Sequence, residues 1–203
     1  MRRSVERMRK YFDSLERTRE RILQISRDVV RASSRCISAL HRGESEIAGK
    51  LLAEARKKLK RLESEVKGVP ELLQSGITES AQQEYCEAML FHTYIHKGKV
   101  LGPEEVGIPY RPYLGGLSDM VGELRRYALD LMREGKVAKA SEVLNTMDEI
   151  LGTLMEFDYP EAILPGMRRK QDMVRTTVEK TRGELTIAIR QHKLESELRR
   201  ARR

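Results

Sequence analysis

Apolar residues recur every third or fourth position along most of this chain, and glycine and proline divide the pattern into a few long stretches. The first, from about Arg2 to Arg42, contains neither breaker. Ile22, Ile25, Val29, Ala32, Cys36 and Leu40 fall on one face of it. Gly43 ends it. A second helix at about 44–67 sets Leu51, Ala55, Leu59, Leu62 and Val66 on one side, and Gly68 and Pro70 close it. A third is expected from near Ser80, where Ser80 and Gln83 have capping-box spacing, to about His96. Its segment Ala88 to Ile95 is apolar nearly all round, which predicts a central position. The Gly/Pro-rich run 98–111 reads as a loop. A fourth helix at about 112–134 has Leu117, Val121, Leu124, Ala128 and Leu131 at core spacing. A fifth follows at about 136–157. The last, at about 166–201, puts Val174, Val178, Leu185, Ala188 and His192 on one face. No strand alternation of useful length and no fixed-period repeat occurs. The pattern therefore predicts a single all-α domain over 1–203, a bundle of long helices. Long helices with wide apolar faces commonly bury part of that face against another subunit, so an oligomer is expected.

Composition adds a charge. Lys and Arg total 39 against 31 Asp and Glu, a net charge of +8, which suits a polyanion partner. Arg17, Arg21, Arg31, Arg35 and Arg42 lie near one stripe of the first helix, with Arg27 at its edge. The second helix carries ARKKLKR through Arg61, including Lys57. The last opens with Arg168, Arg169 and Lys170 and ends in RRARR. Such clusters neutralise phosphates with sequence-independent, salt-sensitive affinity. They equally suit solvated faces threaded by acids such as Glu54 and Glu63, and the basic start 1–14 and extension 191–203 equally suit disordered tails. No motif of the common RNA-binding modules is present. Tyr94, Tyr110 and Tyr113 could stack on bases, although core packing accounts for them as well. His92 and His192 read as core residues.

The two cysteines, Cys36 and Cys86, have no zinc spacing and read as buried free thiols in a reducing compartment. No apolar run approaches the roughly 20 residues of a membrane span, and MRRSVERMRKYF has no signal core, so no membrane association and a cytoplasmic location are expected. A single Asn and 34% charged residues point towards a heat-adapted source.

Two acidic pairs stand out. Glu84 and Glu87 are three apart, on the helix face that continues as Ala81, Ala88, Phe91 and Ile95. Carboxylates interrupting an apolar stripe need a cation or hydrogen-bond donors in compensation. Asp119 and Glu123 share a face of the fourth helix nearly opposite its Leu117/Val121/Leu124 stripe, with Arg126 a turn beyond. Gly115, Gly116 and Gly122 flank this pair. A mid-helix glycine is costly, so Gly122 suggests close approach by another backbone or by a phosphate. Four converging carboxylates would suit a hard cation such as Mg²⁺, Mn²⁺ or Ca²⁺. Ion pairing at a subunit interface for Glu84 and Glu87, and plain surface exposure for Asp119 and Glu123, remain open alternatives. A ferritin-like site needs Glu-x-x-His, but Ser38, Met89, Thr93 and Ile189 stand three before the histidines. An all-α nucleoside triphosphate pyrophosphohydrolase fits Glu84 and Glu87, although its second pair is expected at three-residue rather than four-residue spacing.

Four segments together resemble the translin/Trax family: SRDVVRASSRCISALHR (26–42), EYCEAMLFHTYI (84–95), YLGGLSDMVGELRRYAL (113–129) and MRRKQDMVRTTVEKTRGEL (167–185). They occur in family order and span about residues 15–190. The resemblance implies a seven-helix subunit assembling into a hollow, barrel-like octamer that binds RNA or single-stranded DNA. Six helices are read above, so a short one near Glu71 to Gln74 is expected to complete the set. The acidic residues of the Trax branch's metal-dependent RNase fall on Glu84, Glu87, Asp119 and Glu123, a full set that translin is not expected to keep. The resemblance therefore implies a Trax-like prokaryotic or archaeal member, an endoribonuclease using Mg²⁺ or Mn²⁺. Arg31, Arg35, Lys57, Arg61 and Arg126 are its candidate phosphate contacts. The alternative within the family is a non-catalytic binding protein. The basic extension past about Gln191 departs from the family pattern.

Overall fold

The computed structural model describes residues 1–69, 72 and 76–201. Seven helices occur among them: α1 (Arg2–His41), α2 (Ser45–Lys67), α3 (Ile77–Lys97), α4 (Pro103–Val106), α5 (Tyr110–Arg133), α6 (Val137–Met155) and α7 (Met167–Ala201). No strand occurs among the described residues. The short helix expected near Glu71 falls on residues of which only Leu72 is described, and it is buried. The chain divides into two compact units, Met1–Gly116 and Leu117–Arg203, each with its own packing.

In the first unit α1, α2 and α3 pack against one another. The expected stripes are the ones buried. Ile22, Val29, Ala32 and Cys36 of α1 are at most 3% exposed, as are Ala55, Leu59, Leu62 and Val66 of α2. Side-chain bonds tie the helices together: Ser26 Oγ donates to the Ile77 carbonyl at 3.2 Å, and Gln82 Nε2 to Glu63 Oε1 at 2.8 Å. Helix α3 begins at Ile77, one turn before the Ser80 box. Gly76 at φ +69° turns the chain into it, in a conformation that only glycine adopts without strain. The run read as a loop contains α4, whose first turn is closed by the Gly102 N–H donating to Glu105 Oε2 at 2.9 Å.

In the second unit α6 packs on α7. Gln171, almost fully buried, donates from Nε2 to the Leu154 carbonyl at 2.8 Å and so satisfies an end carbonyl of α6. Arg125 of α5 reaches α7, donating to Thr181 Oγ1 at 2.9 Å and to Glu184 Oε1 at 3.0 Å. The buried stripe of α7 stops at Leu185. His192, read as a core residue, is exposed, about two turns past the last buried position of the helix. The chain ends are helical and exposed through Ala201.

Candidate functional site

Helix α3 is the most completely enclosed element of the first unit. Tyr85, Cys86, Ala88, Leu90 and Phe91 are at most 2% exposed. Glu84 and Glu87 sit among them, half-buried. Their backbone is fixed by the start of α5. A Cβ on Gly116 would lie 2.7 Å from the Gln83 carbonyl oxygen, 2.8 Å from Cys86 Cβ and 2.9 Å from the Glu87 amide nitrogen. Only glycine lets the two helix backbones meet this closely. Gly115 likewise leaves room for the Gln83 side chain. The Cys86 thiol donates weakly to the Tyr113 carbonyl at 3.9 Å. Arg111 pairs with Glu79 at 2.8 Å. The Tyr113 hydroxyl donates to the Leu101 carbonyl at 2.8 Å, and burial pushes its pKa up to about 12. The start of α5 is thereby held at several points, and the acids of α3 project from a rigid seam.

The first of the two readings of Gly122, approach by another backbone, is corrected. Gly122 is exposed, and nothing lies within 4 Å of where its Cβ would be. Among the described residues no backbone approaches it; the close approach is at Gly116, six residues earlier.

Asp119 and Glu123 belong to the second unit and are half-buried as well. Ser118, Met120, Val121 and Leu124 around them are at most 1% exposed, so these are not plain surface acids. Lys170 Nζ donates to Asp119 Oδ1 at 2.7 Å, with the side chains 27% and 25% exposed. Sequence reasoning counted Lys170 in a basic run and missed this pairing, because spacing along one helix carries no information about a partner 51 residues away. It also passed over Arg125, the anchor between α5 and α7. The usable signal was its place beside Leu124, one turn from Val121 and Ala128, on the core side of the helix.

Both pairs are thus half-buried carboxylates, each presented by one helix, with no donor softer than oxygen. Within either unit, no group of three or more His, Cys, Asp or Glu among the described residues could hold an ion by itself. The donor chemistry fits a hard divalent cation.

The candidate phosphate contacts Arg31 and Arg35 on α1, Lys57 and Arg61 on α2, and Arg126 on α5 are all exposed. Glu54 of α2 is held below the usual carboxylate range, first by its hydrogen bond from Lys58 and also by Arg35. Arg35 therefore lies near the basic run of α2. Arg31 is 3.9 Å from Asp28. Of the tyrosines, Tyr94 is buried, Tyr113 is half-buried and Tyr110 is 69% exposed, so only Tyr110 is open to a stacked base. His92 is half-buried and stacked on His96, with ring centroids 4.3 Å apart. Its pKa is lowered by burial, then by His96 and Lys97. Cys36 and Cys86 are buried free thiols. No helix among the described residues is long and apolar enough to cross a membrane.

Residues 17–183 match the model of the Translin family. An uncharacterised protein of Methanocaldococcus jannaschii is 32% identical over 192 residues, covering 94% of this chain and 85% of its own. The translin-associated protein X homolog of Schizosaccharomyces pombe is 22% identical, covering 81% of this chain and 78% of its own. Among solved structures, AfC3PO in complex with duplex RNA superposes with a TM-score of 0.81 at 32% identity, covering 93% of this chain and 96% of that one. Apo-NeC3PO, at 22% identity, shares the fold with a TM-score of 0.82.

Proposed function

Because the chain belongs to the translin family, we propose that it is a Trax-like, metal-dependent endoribonuclease that works as a homo-oligomer, an octamer in the manner of the family. The observation that carries this reading is the pair of half-buried acidic couples, Glu84 with Glu87 and Asp119 with Glu123, on helices whose neighbouring positions are buried. Carboxylates at that depth call for positive charge. In this reading all four hold one or two Mg²⁺ or Mn²⁺ ions. When bound, such an ion supplies Lewis acidity at a phosphoryl oxygen and makes water nucleophilic at neutral pH. The seam at Gly116 keeps Glu84 and Glu87 in place so that their geometry needs no reorganisation. Arg31, Arg35, Lys57, Arg61 and Arg126 contact backbone phosphates and position the strand. Water attacks phosphorus, the P–O3′ bond breaks, and the ends are a 5′-phosphate and a 3′-hydroxyl.

RNA is the proposed substrate because a structural neighbour at 32% identity was solved with duplex RNA; single-stranded DNA is a second candidate ligand. The test compares wild type with Glu123→Gln on labelled single-stranded and duplex RNA, with Mn²⁺ or with EDTA. Wild type is expected to cut only with metal, and the variant to bind without cutting. Ends bearing a 2′,3′-cyclic phosphate would overturn the hydrolytic mechanism.

The Lys170–Asp119 pair favours a second reading. A carboxylate that already has an ammonium 2.7 Å away has less need of a metal, which suits a non-catalytic nucleic-acid-binding protein. Binding by both proteins without cutting by either would establish it. Release of pyrophosphate from a nucleoside triphosphate, with RNA left intact, would instead establish the pyrophosphohydrolase.

A further inference from the structure

Helix α1 runs unbroken from Arg2 to His41, yet no residue from 1 to 21 is buried. This arm is not polar all round. Met1, Val5, Met8, Phe12 and Leu15 follow one another at spacings of four, three, four and three. Val5, Met8 and Phe12 are 39%, 53% and 61% exposed, and Leu15 is half-buried. A hollow lined by Met1, Arg2, Val5, Glu6 and Arg9 lies along the same stripe. Residues 1–16 precede the part matched to the family model, 17–183. A helical segment of about 20 residues is marginal in water without a partner for its apolar face.

The spacing says what kind of partner. Alternation of three and four is the narrow seam of a coiled coil, whereas a helix lying in a membrane surface presents a wider apolar face. In heptad terms Val5 and Phe12 are a positions, Met1, Met8 and Leu15 are d positions, and Arg2, Arg9 and Glu16 are e positions. We propose that the arm pairs antiparallel with the arm of a second copy of this chain.

In that register a faces d, so Val5 meets the partner's Leu15 and Met8 meets the partner's Phe12. The e positions face each other. Arg2 then meets the partner's Glu16 at both ends of the pair, and one like-charge contact, Arg9 with the partner's Arg9, falls at the centre. Arg2 and Glu16 take no ion pair within the chain among the described residues. A parallel pair would set Arg19, the next a position, against the partner's Arg19 and bring no acid opposite a base. The antiparallel pair puts Arg19 beside the partner's Met1 instead. Overlap also ends where it should, because Arg21 already pairs with Glu65 at 3.5 Å and Ile22 is fully buried.

The test uses the full chain carrying Val5→Cys and Leu15→Cys together. Within one helix these positions are about 15 Å apart, too far for an internal disulfide. The native thiols stay silent, since Cys36 and Cys86 are both inaccessible and burial pushes Cys36 up to about 11. Mild oxidation is expected to give a covalent dimer in the double variant and none in Val5→Cys alone. A dimer from Val5→Cys alone shows a parallel pair and overturns the proposal, as does the absence of a dimer in both.

The charge register has its own readout. Arg2→Glu and Glu16→Arg, each added to the double-cysteine chain, are expected to lower the cross-linked yield at least about threefold, and their combination to restore it. An unchanged yield in the single charge variants overturns the register. If Phe12→Asp removes binding to phosphatidylserine vesicles and no variant cross-links, the arm serves a membrane and the proposal fails.

Discussion

At Gly115 and Gly116 helix α5 presses its backbone against α3, whereas six residues later, at Gly122, the space around the missing side chain is empty. The two acidic couples differ in the same way. Glu84 and Glu87 stand on a seam where helix backbones touch. Asp119 is held by a side-chain ion pair to Lys170, 2.7 Å long, which another cation could replace. The backbone that carries Glu84 and Glu87 is therefore held by packing, which does not exchange, and Asp119 meets a charge, which does. The same residue type at neighbouring points of one helix admits another helix in the first case and leaves open space in the second.

The largest expected effect breaks the seam. Gly116→Ala sets a methyl against three atoms below 3.0 Å, two of them backbone. The gain in helix propensity, about 1 kcal/mol, is outweighed by overpacking that costs about 1–3 kcal/mol or more where backbone must shift. Urea unfolding is expected to show a net loss of about 2 kcal/mol. Stability equal to wild type would mean that α3 and α5 separate easily and that the seam does not fix Glu84 and Glu87.

Next in size is the exchangeable end. Lys170→Met removes the ammonium beside a carboxylate that is only a quarter exposed, and a loss of about 1 kcal/mol is expected in EDTA. If Asp119 is an ion ligand, Mn²⁺ substitutes for the missing charge. The Mn²⁺-induced rise in Tm should then be larger in the variant than in wild type. An equal rise in both would leave Lys170 a local counter-ion with no bearing on the metal, and no rise in either would remove the metal reading itself.

Legibility followed the same division. Where one helix face decides the outcome, the pattern sufficed: Val29, Leu62, Val121 and Val178 were expected inside and each is at most 1% exposed. Where the outcome depends on what another helix does, it did not. Gly116 and Gly122 look alike in sequence because neither has a side chain to carry a period. His192 continues the stripe of Val174 and Val178, yet the periodicity of α7 runs on past Leu185, its last buried position. The start of α3 was placed at a capping box on Ser80, while Gly76, free to take φ +69°, begins the helix a turn earlier. The partial burial of Glu84 and Glu87 was legible because two carboxylates in an apolar stripe contradict their surroundings. Lys170 was not, because a cation in a basic run contradicts nothing.

The smallest effect sharpens the contrast at Gly122. Alanine there meets no atom and carries no backbone strain, since φ at this position is not positive. Gly122→Ala should therefore stabilise the chain by roughly 0.5–1 kcal/mol through the reduced entropy of the unfolded state. Urea unfolding measures that gain, and RNA binding by the same variant at fixed salt measures what the glycine is kept for. A more stable protein with unchanged affinity shows a glycine tolerated at an open turn. A more stable protein with weakened affinity shows that a phosphate comes within reach of the bare backbone beside Glu123, and that stability is given up at this turn to admit it.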